Sequence, residues 1–191
     1  TFASLLVTWF FRFLRLLGWD GRQSRRGQVL AELYELGAIA SFFQNDVYRL
    51  VHLVVRAHAQ AVRLATGPAR VRANVTYAVL LAMLQREDDA IEQIDSALRE
   101  AEALGEPAVH ARARWFQASV YEFVGRAPEA EFAMRQTINQ QGVWLGLWEY
   151  VTLCGELGGL LLDRGFVSEG DKWGDRILDR VEAPDEGDID R

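Results

Sequence analysis

Apolar residues between positions 71 and 104 recur at intervals of three and four, which is the spacing of one face of an α-helix. In 71–84 they are Val71, Val75, Val79, Leu80 and Leu84, and in 87–104 they are Ala90, Ile91, Ile94, Ala97, Leu98, Ala101 and Leu104. No stretch of the sequence shows the sustained alternation that is typical of strands. The pattern predicts an all-α chain of about nine helices joined by short turns.

A small residue also returns every 40 positions. The columns are Ala38, Ala78, Ala118 and Gly158, then Leu50, Ala90, Ala130 and Gly170, then Ala57, Ala97, Thr137 and Ile177. Two helices can approach closely only where their side chains are small, so we expect Ala78 to face Ala90, and Ala118 to face Ala130, across a turn. The repeating units are about 31–70, 71–110, 111–150 and 151–190.

Turn signals fall in the same register. Asn45, Gln85, Gly125 and Gly165 stand where the first helix of each unit should end, and glycine suits a left-handed helix cap. Pro68 and Pro107 are placed to begin the next helix. One helical hairpin cannot bury its apolar face alone, so neighbouring hairpins must stack. We predict an α-solenoid with three parts: an N-terminal apolar helix and linker (1–30), four repeats (31–181) and an acidic tail (182–191).

These columns resemble the tetratricopeptide signature. Leu81, Tyr121 and Leu161 follow the first small position by three residues, and the segment VGRAPEAEFAMRQTI (124–138) is the most similar. The resemblance covers residues 31–181 and is degenerate in units one and four, where Leu50, Gly170 and Ile177 replace the expected alanines. The usual tetratricopeptide repeat has about 34 residues.

Lengthened repeats of this kind are similar to the C-terminal helical regions of large bacterial signalling ATPases, including MalT-like transcription activators and ATPase-coupled nucleotide cyclases. In those families the repeats sense an inducer or a partner and restrain the catalytic or DNA-binding domains. The resemblance therefore implies a protein-interaction and regulatory scaffold that is a fragment of a larger signalling protein.

Composition narrows the functional classes. Half of the 191 residues are apolar, enough for a sizeable core, and the net charge is −6 with the basic residues scattered along the chain. We therefore expect no nucleic acid partner through this segment. Because Cys154 is the single cysteine, an internal disulfide framework is excluded, and we expect the protein to be located in a reducing compartment, the cytoplasm. The preference for arginine over lysine fits a GC-rich bacterial genome.

The N-terminal segment 1–17 is strongly apolar, but it is shorter than the ~20 residues of a membrane span and contains Arg12 and Arg15. A helix that is apolar all round must bury itself against the first unit, a second copy of the chain or an upstream repeat. Attachment to a membrane surface is the alternative. The tail EAPDEGDIDR has no apolar periodicity and is expected to be a mobile terminus or linker.

Candidate chemistry is sparse. No two of His52, His58 and His110 have the spacing of a helical metal site, and Cys154 is expected to be a small buried apolar residue. The acidic residues Asp88, Asp89 and Glu92 stand at the start of a predicted helix, where their negative charges interact favourably with the helix dipole. The sequence contains no phosphate-binding glycine loop. We expect no metal, no cofactor and no catalytic residue, and an all-helical enzyme of unknown reaction is the alternative from another class.

One helix face carries the candidate binding site. Counted from the start of its unit, Trp115 occupies a position that looks into the concave groove of tetratricopeptide arrays. The same count places Glu35, Arg72, Arg112, Ser119 and Glu122 there. An aromatic anchor flanked by arginines suits an acidic or C-terminal peptide of a protein partner.

Two other interpretations stay open for this face. Its residues can be ordinary solvated helix positions. The module can also be a small-molecule sensor, with an inducer bound in the concave face or among the aromatic residues of 142–150. The glycines between those tryptophans either leave a pocket or allow close packing.

Overall fold

The computed structural model describes Phe10 and residues 25–182, and these residues are all-α, as predicted. They contain no strand. The helices are α1 (Arg25–Phe43), α2 (Val47–Ala61), α3 (Pro68–Met83), α4 (Glu87–Leu104), α5 (Pro107–Phe123), α6 (Ala127–Gln141), α7 (Leu147–Asp163) and α8 (Val167–Glu182), with a 3₁₀ turn at Gly142–Trp144. No helix of this described part is long and apolar enough to cross a membrane. The predicted N-terminal helix and nearly all of the acidic tail lie outside the described residues.

The helix boundaries repeat in the predicted register. The second helices begin at Val47, Glu87, Ala127 and Val167, which are 40 residues apart. Each first helix is followed by a residue with positive φ, namely Asn45 (53°), Gln85 (59°), Gly125 (81°) and Gly165 (84°). The predicted turn positions are therefore confirmed, and so are Pro68 and Pro107 as first residues of helices. Helix α1 begins at Arg25, inside the stretch assigned above to an N-terminal helix and linker.

The predicted small-residue columns lie in the core. Ala78 and Ala90 are fully buried in one apolar cluster, and Ala118 and Ala130 are fully buried in the next. In the last pair, a Cβ atom built on Gly170 would lie 3.1 Å from the carbonyl oxygen of Gly158. The same Cβ would lie 2.8 Å from the side chain of Leu162, so position 170 has little room for a side chain.

The first helices of the four pairs share one face, which we call the common face. Helix α1 packs on α3, and α3 packs on α5. Between α5 and α7 long side chains make the contact: the rings of Trp115 and Trp148 are 5.5 Å apart, and Arg112 bonds Glu149. The common face is thus held together partly by aromatic rings and ion pairs.

Two glycine substitutions test the turn geometry. Gly125→Ala is expected to destabilise the fold by about 1 kcal/mol, because φ at this turn is 81° and a Cβ strains the left-handed backbone. Gly155→Ala, within α7, is expected to stabilise it by about 0.5–1 kcal/mol, because alanine favours a helix interior. Neither new Cβ would meet another atom within 4 Å. Urea unfolding midpoints that move in the same direction for both variants would contradict the turn assignment.

Candidate functional site

An ion-pair network crosses the common face. Glu35 of α1 is buried and lies between Arg72 of α3 and Arg112 of α5. Arg112 Nη2 is 2.7 Å from Glu35 Oε1, and Arg112 Nη1 is 2.6 Å from Oε1 of Glu149 on α7. Arg72 also pairs with Glu32. All four first helices are therefore joined through two arginines and three glutamates.

Burial sets the electrostatics of this network. Burial raises the pKa of Glu35, the charges of Arg112 and Arg72 lower it, and the charges of Glu32 and Glu149 raise it, so that the pKa is raised overall. The structure brings Glu35, Arg72 and Arg112 together. Their predicted role is corrected, because the guanidinium groups of both arginines already bond glutamates of this chain and are not free to bind an acidic peptide.

Trp115 does not form an exposed anchor, so that prediction is also wrong. Its residue surface is only 4 % exposed, and its ring packs edge-on against Phe116 and Trp148. Its Nε1 donates a hydrogen bond to Glu156 Oε2 at 2.8 Å. The side chain lies between α5 and α7, and it also lines the neighbouring cavity.

A cavity of about 260 Å³ adjoins this network on the common face. Its walls are mainly apolar and come from all four first helices and from α2. They include Ile39, Phe42 and Phe43 of α1, Leu50 and Val54 of α2, Val79 and Met83 of α3, Phe116 and Phe123 of α5, and Trp148 and Thr152 of α7. Trp115, Ser119 and Glu122 also line it, so half of the predicted groove residues border the cavity and the other half form the ion pairs.

Glu156 is the functional candidate that the sequence interpretation missed. It lines the cavity and accepts hydrogen bonds from Trp115 Nε1 and, at 3.4 Å, from the hydroxyl of Ser119, both through Oε2. It stands 40 residues after Phe116, another lining residue, and that register could have identified it. The groove prediction followed the adjacent column, which contains Trp115 and Gly155.

Burial raises the pKa of Glu156 to about 7, the hydrogen bonds from Trp115 and Ser119 lower it, and the charge of Glu122 raises it. The pKa of Glu122 is itself raised, first by burial and then by Asp163. Within residues 25–182 neither glutamate forms a salt bridge with an arginine, a lysine or a histidine. The cavity therefore has an acidic end without a countercharge from the described part of the chain.

The segment 142–150 contributes Trp148 to the cavity. Gly142 is a packing glycine, because a Cβ there would lie 3.1 Å from the ring of Tyr150. Trp144 is about half exposed and does not line the cavity. Gly146, the glycine between the two tryptophans, is exposed, and a Cβ there would make only an ordinary contact, 3.6 Å from Glu149 Oε2. It is therefore not a close-packing glycine, and it does not line the cavity, which only one of the two tryptophans, Trp148, reaches.

The other candidate groups have structural surroundings. The His58 ring is buried, bonds Asn74 through Nδ1 at 3.0 Å and stacks on Tyr77 at 4.0 Å. Cys154 is fully buried, as expected, and burial raises the pKa of its thiol. Asp88 and Asp89 lie in the first turn of α4. Among the described residues no three His, Cys, Asp or Glu side chains are grouped so that they could hold a metal ion.

The raised pKa of Glu156 predicts a specific pH dependence of stability. Because the folded pKa of about 7 exceeds the ordinary 4.5, the contribution of this group is fully present below pH 4.5 and is lost as the pH rises through 7. Relative to Glu156→Gln, the wild type should lose at most about 3 kcal/mol of unfolding free energy between pH 5 and 8. Urea unfolding at several pH values measures this difference.

Glu106→Gln is the matched control, because Glu106 is exposed and lies at the opposite end of α5 from the cavity. Its pH profile should follow the wild type. A Glu156→Gln profile parallel to the wild type would show that Glu156 has no special environment.

Comparison with known proteins finds no matching family model, no matching curated protein and no matching solved structure. The ion-pair network and the cavity are therefore the observations that bear on function.

Proposed function

We propose that residues 31–181 form a tetratricopeptide-like solenoid and act as a regulatory binding module rather than as an enzyme. The 40-residue spacing of the second helices and the buried small residues support a stack of equivalent hairpins. In this arrangement the common face is the concave face of the solenoid. The proposal includes the cytoplasmic, bacterial setting that composition indicates.

The ligand in this proposal is a small apolar molecule, and the cavity carries the argument. Its volume of about 260 Å³ lies just below the range of about 300–1,000 Å³ that is usual for ligand pockets, so it fits a small ligand. Aromatic and aliphatic side chains line most of it, and a few polar groups gather at one end. The internal pairing of Arg72 and Arg112 disfavours the acidic peptide, so the small-molecule sensor becomes the leading function.

Regulation follows from where the ligand would sit. The cavity touches α1 and α7, the first helices of the first and last pairs, so an occupant contacts all four units at once. A ligand changes a conformational equilibrium only if it binds one arrangement better than another. Bound here, it would favour the arrangement that closes the units around it, and attached domains would respond. This is the sensing role implied by the resemblance to signalling ATPases.

A second candidate function, a protein-interaction scaffold, is supported by the outer side of α1. Val29, Leu33 and Leu36 are 46 %, 58 % and 62 % exposed, and their spacing of four and three places them along one stripe. Such a stripe suits an apolar helix of a partner protein or of a second copy of this chain. Light scattering of the wild type and of the Leu33→Glu, Leu36→Glu double variant tests self-association. Equal particle sizes would exclude the second copy.

Filling the cavity tests the small-molecule proposal. Val79→Phe adds a ring to the cavity wall and is expected to weaken binding of the neutral probes 2-phenylethanol and tryptophol by about tenfold or more, which corresponds to about 1.4 kcal/mol. Val143→Phe is the control, because Val143 is exposed and does not line the cavity. The measurement is a titration followed through the Trp115 indole N–H resonance. Equal affinities in both variants, or no saturable binding to the wild type, would refute the proposal.

A further inference from the structure

We propose that the cavity selects a small organic cation, in which an ammonium group on an apolar body pairs with Glu156. The inference rests on the proposed function, because it names the chemical class of the ligand in the same cavity. The body of such a ligand would lie against Phe42 and Met83, and its charge would lie at the acidic end.

The first argument is the charge of the lining. Glu122 and Glu156 are the ionisable side chains among the described residues that line the cavity, and no arginine, lysine or histidine of residues 25–182 lines it. Arg112 lies beside two wall residues, because its guanidinium carbon is 5.6 Å from the Phe116 ring centroid and 5.9 Å from the Trp148 ring centroid. Its two terminal nitrogens already bond Glu35 and Glu149. An anionic ligand would thus meet two carboxylates without a countercharge, whereas a cation would supply one.

The second argument is the hydrogen bonding of Glu156. Trp115 and Ser119 both donate to Oε2, and within the described part of the chain no donor reaches Oε1. An ionised carboxylate that is buried without a positive partner is costly, and a hydrogen-bonded cation removes most of that cost. A primary ammonium has three N–H donors, so one can satisfy Oε1 while others reach Glu122 or water.

The third argument is the aromatic wall beside Glu156. The rings of Trp115 and Trp148 meet at an interplanar angle of 72°, and Phe116 contacts Trp115. Aromatic faces attract cations, and tryptophan does so most strongly. A carboxylate next to two tryptophans therefore distinguishes an ammonium from a neutral group of the same size, while the apolar remainder of the cavity excludes a strongly hydrated metal ion.

The experiment compares probes that share an apolar body and differ in the charge of the polar head group. Phenethylamine is matched with 2-phenylethanol and tryptamine with tryptophol, and 3-phenylpropionate serves as the anion. Titrations of the full chain at pH 8 are followed by calorimetry and by the Trp115 indole N–H resonance. Each amine is expected to bind at least about tenfold more tightly than its alcohol, and the propionate most weakly. At pH 6 the preference should shrink, because protonated Glu156 no longer attracts the ammonium and Glu122 is the other acidic group facing it.

Variants identify the group responsible. Glu156→Gln should remove the preference for the amine, and an unchanged helical circular dichroism spectrum would show that the variant is folded. Glu122→Gln should reduce the preference by less, and Glu106→Gln should leave it unchanged.

The outcomes separate the two proposals. If amine and alcohol bind equally, the cation inference is wrong and the apolar pocket remains. If neither binds to the wild type, the proposed function fails as well. If the tripeptide Gly-Lys-Gly binds more tightly than both amines, the cavity receives a basic side chain of a peptide and the small-molecule inference is overturned.

Discussion

Close approach of paired helices at small residues is the constraint on which the rest of this structure depends. Where Gly158 meets Gly170, and where the buried alanines stand in the preceding pairs, a larger side chain would push two helices apart. The second helices begin 40 residues apart, and the buried small residues of the second, third and fourth pairs follow the same spacing. Residues distant in sequence meet on the common face, as Glu35 and Arg112 do.

On the common face, the contact between α5 and α7 does not depend on small residues. Between α5 and α7 the contact depends on Trp115, Trp148 and the pair of Arg112 with Glu149, all of which are long. Long side chains span a gap without filling it, and the cavity lies beside them. One sequence thus combines tight packing within the pairs with looser packing between α5 and α7, and Trp115, Trp148 and Glu156 border this looser region.

The helical class, the turn positions and the buried alanine columns could be predicted because they depend on local spacing and on size. The partners of the groove residues could not. The spacing of Arg72 and Arg112 placed them on one face, but whether they meet Glu35 or a ligand depends on the distance between helices, which the sequence does not state. Trp115 was misplaced for a related reason, since the gap between α5 and α7 decides whether an indole is exposed. Glu156 was missed because the common face also includes the column of Phe116 and Glu156. That column is one residue beyond the predicted column, which contains Trp115 and Gly155.

The direct bond between Glu35 and Arg112 has a mechanical consequence. It joins helices that belong to the first and third pairs, and Arg112 continues to Glu149 in the fourth. A stack of repeats in which each repeat contacts only its neighbours bends easily, because no contact links distant repeats. In this chain the ion pairs of Arg112 connect α1 directly to α5 and α5 to α7. A force applied to α1 is therefore transmitted to α7 through these side chains, without passing through the second helix pair. The side chains of this crosslink are largely buried, so added salt screens these ion pairs only weakly. The elasticity of this chain should therefore change little with ionic strength.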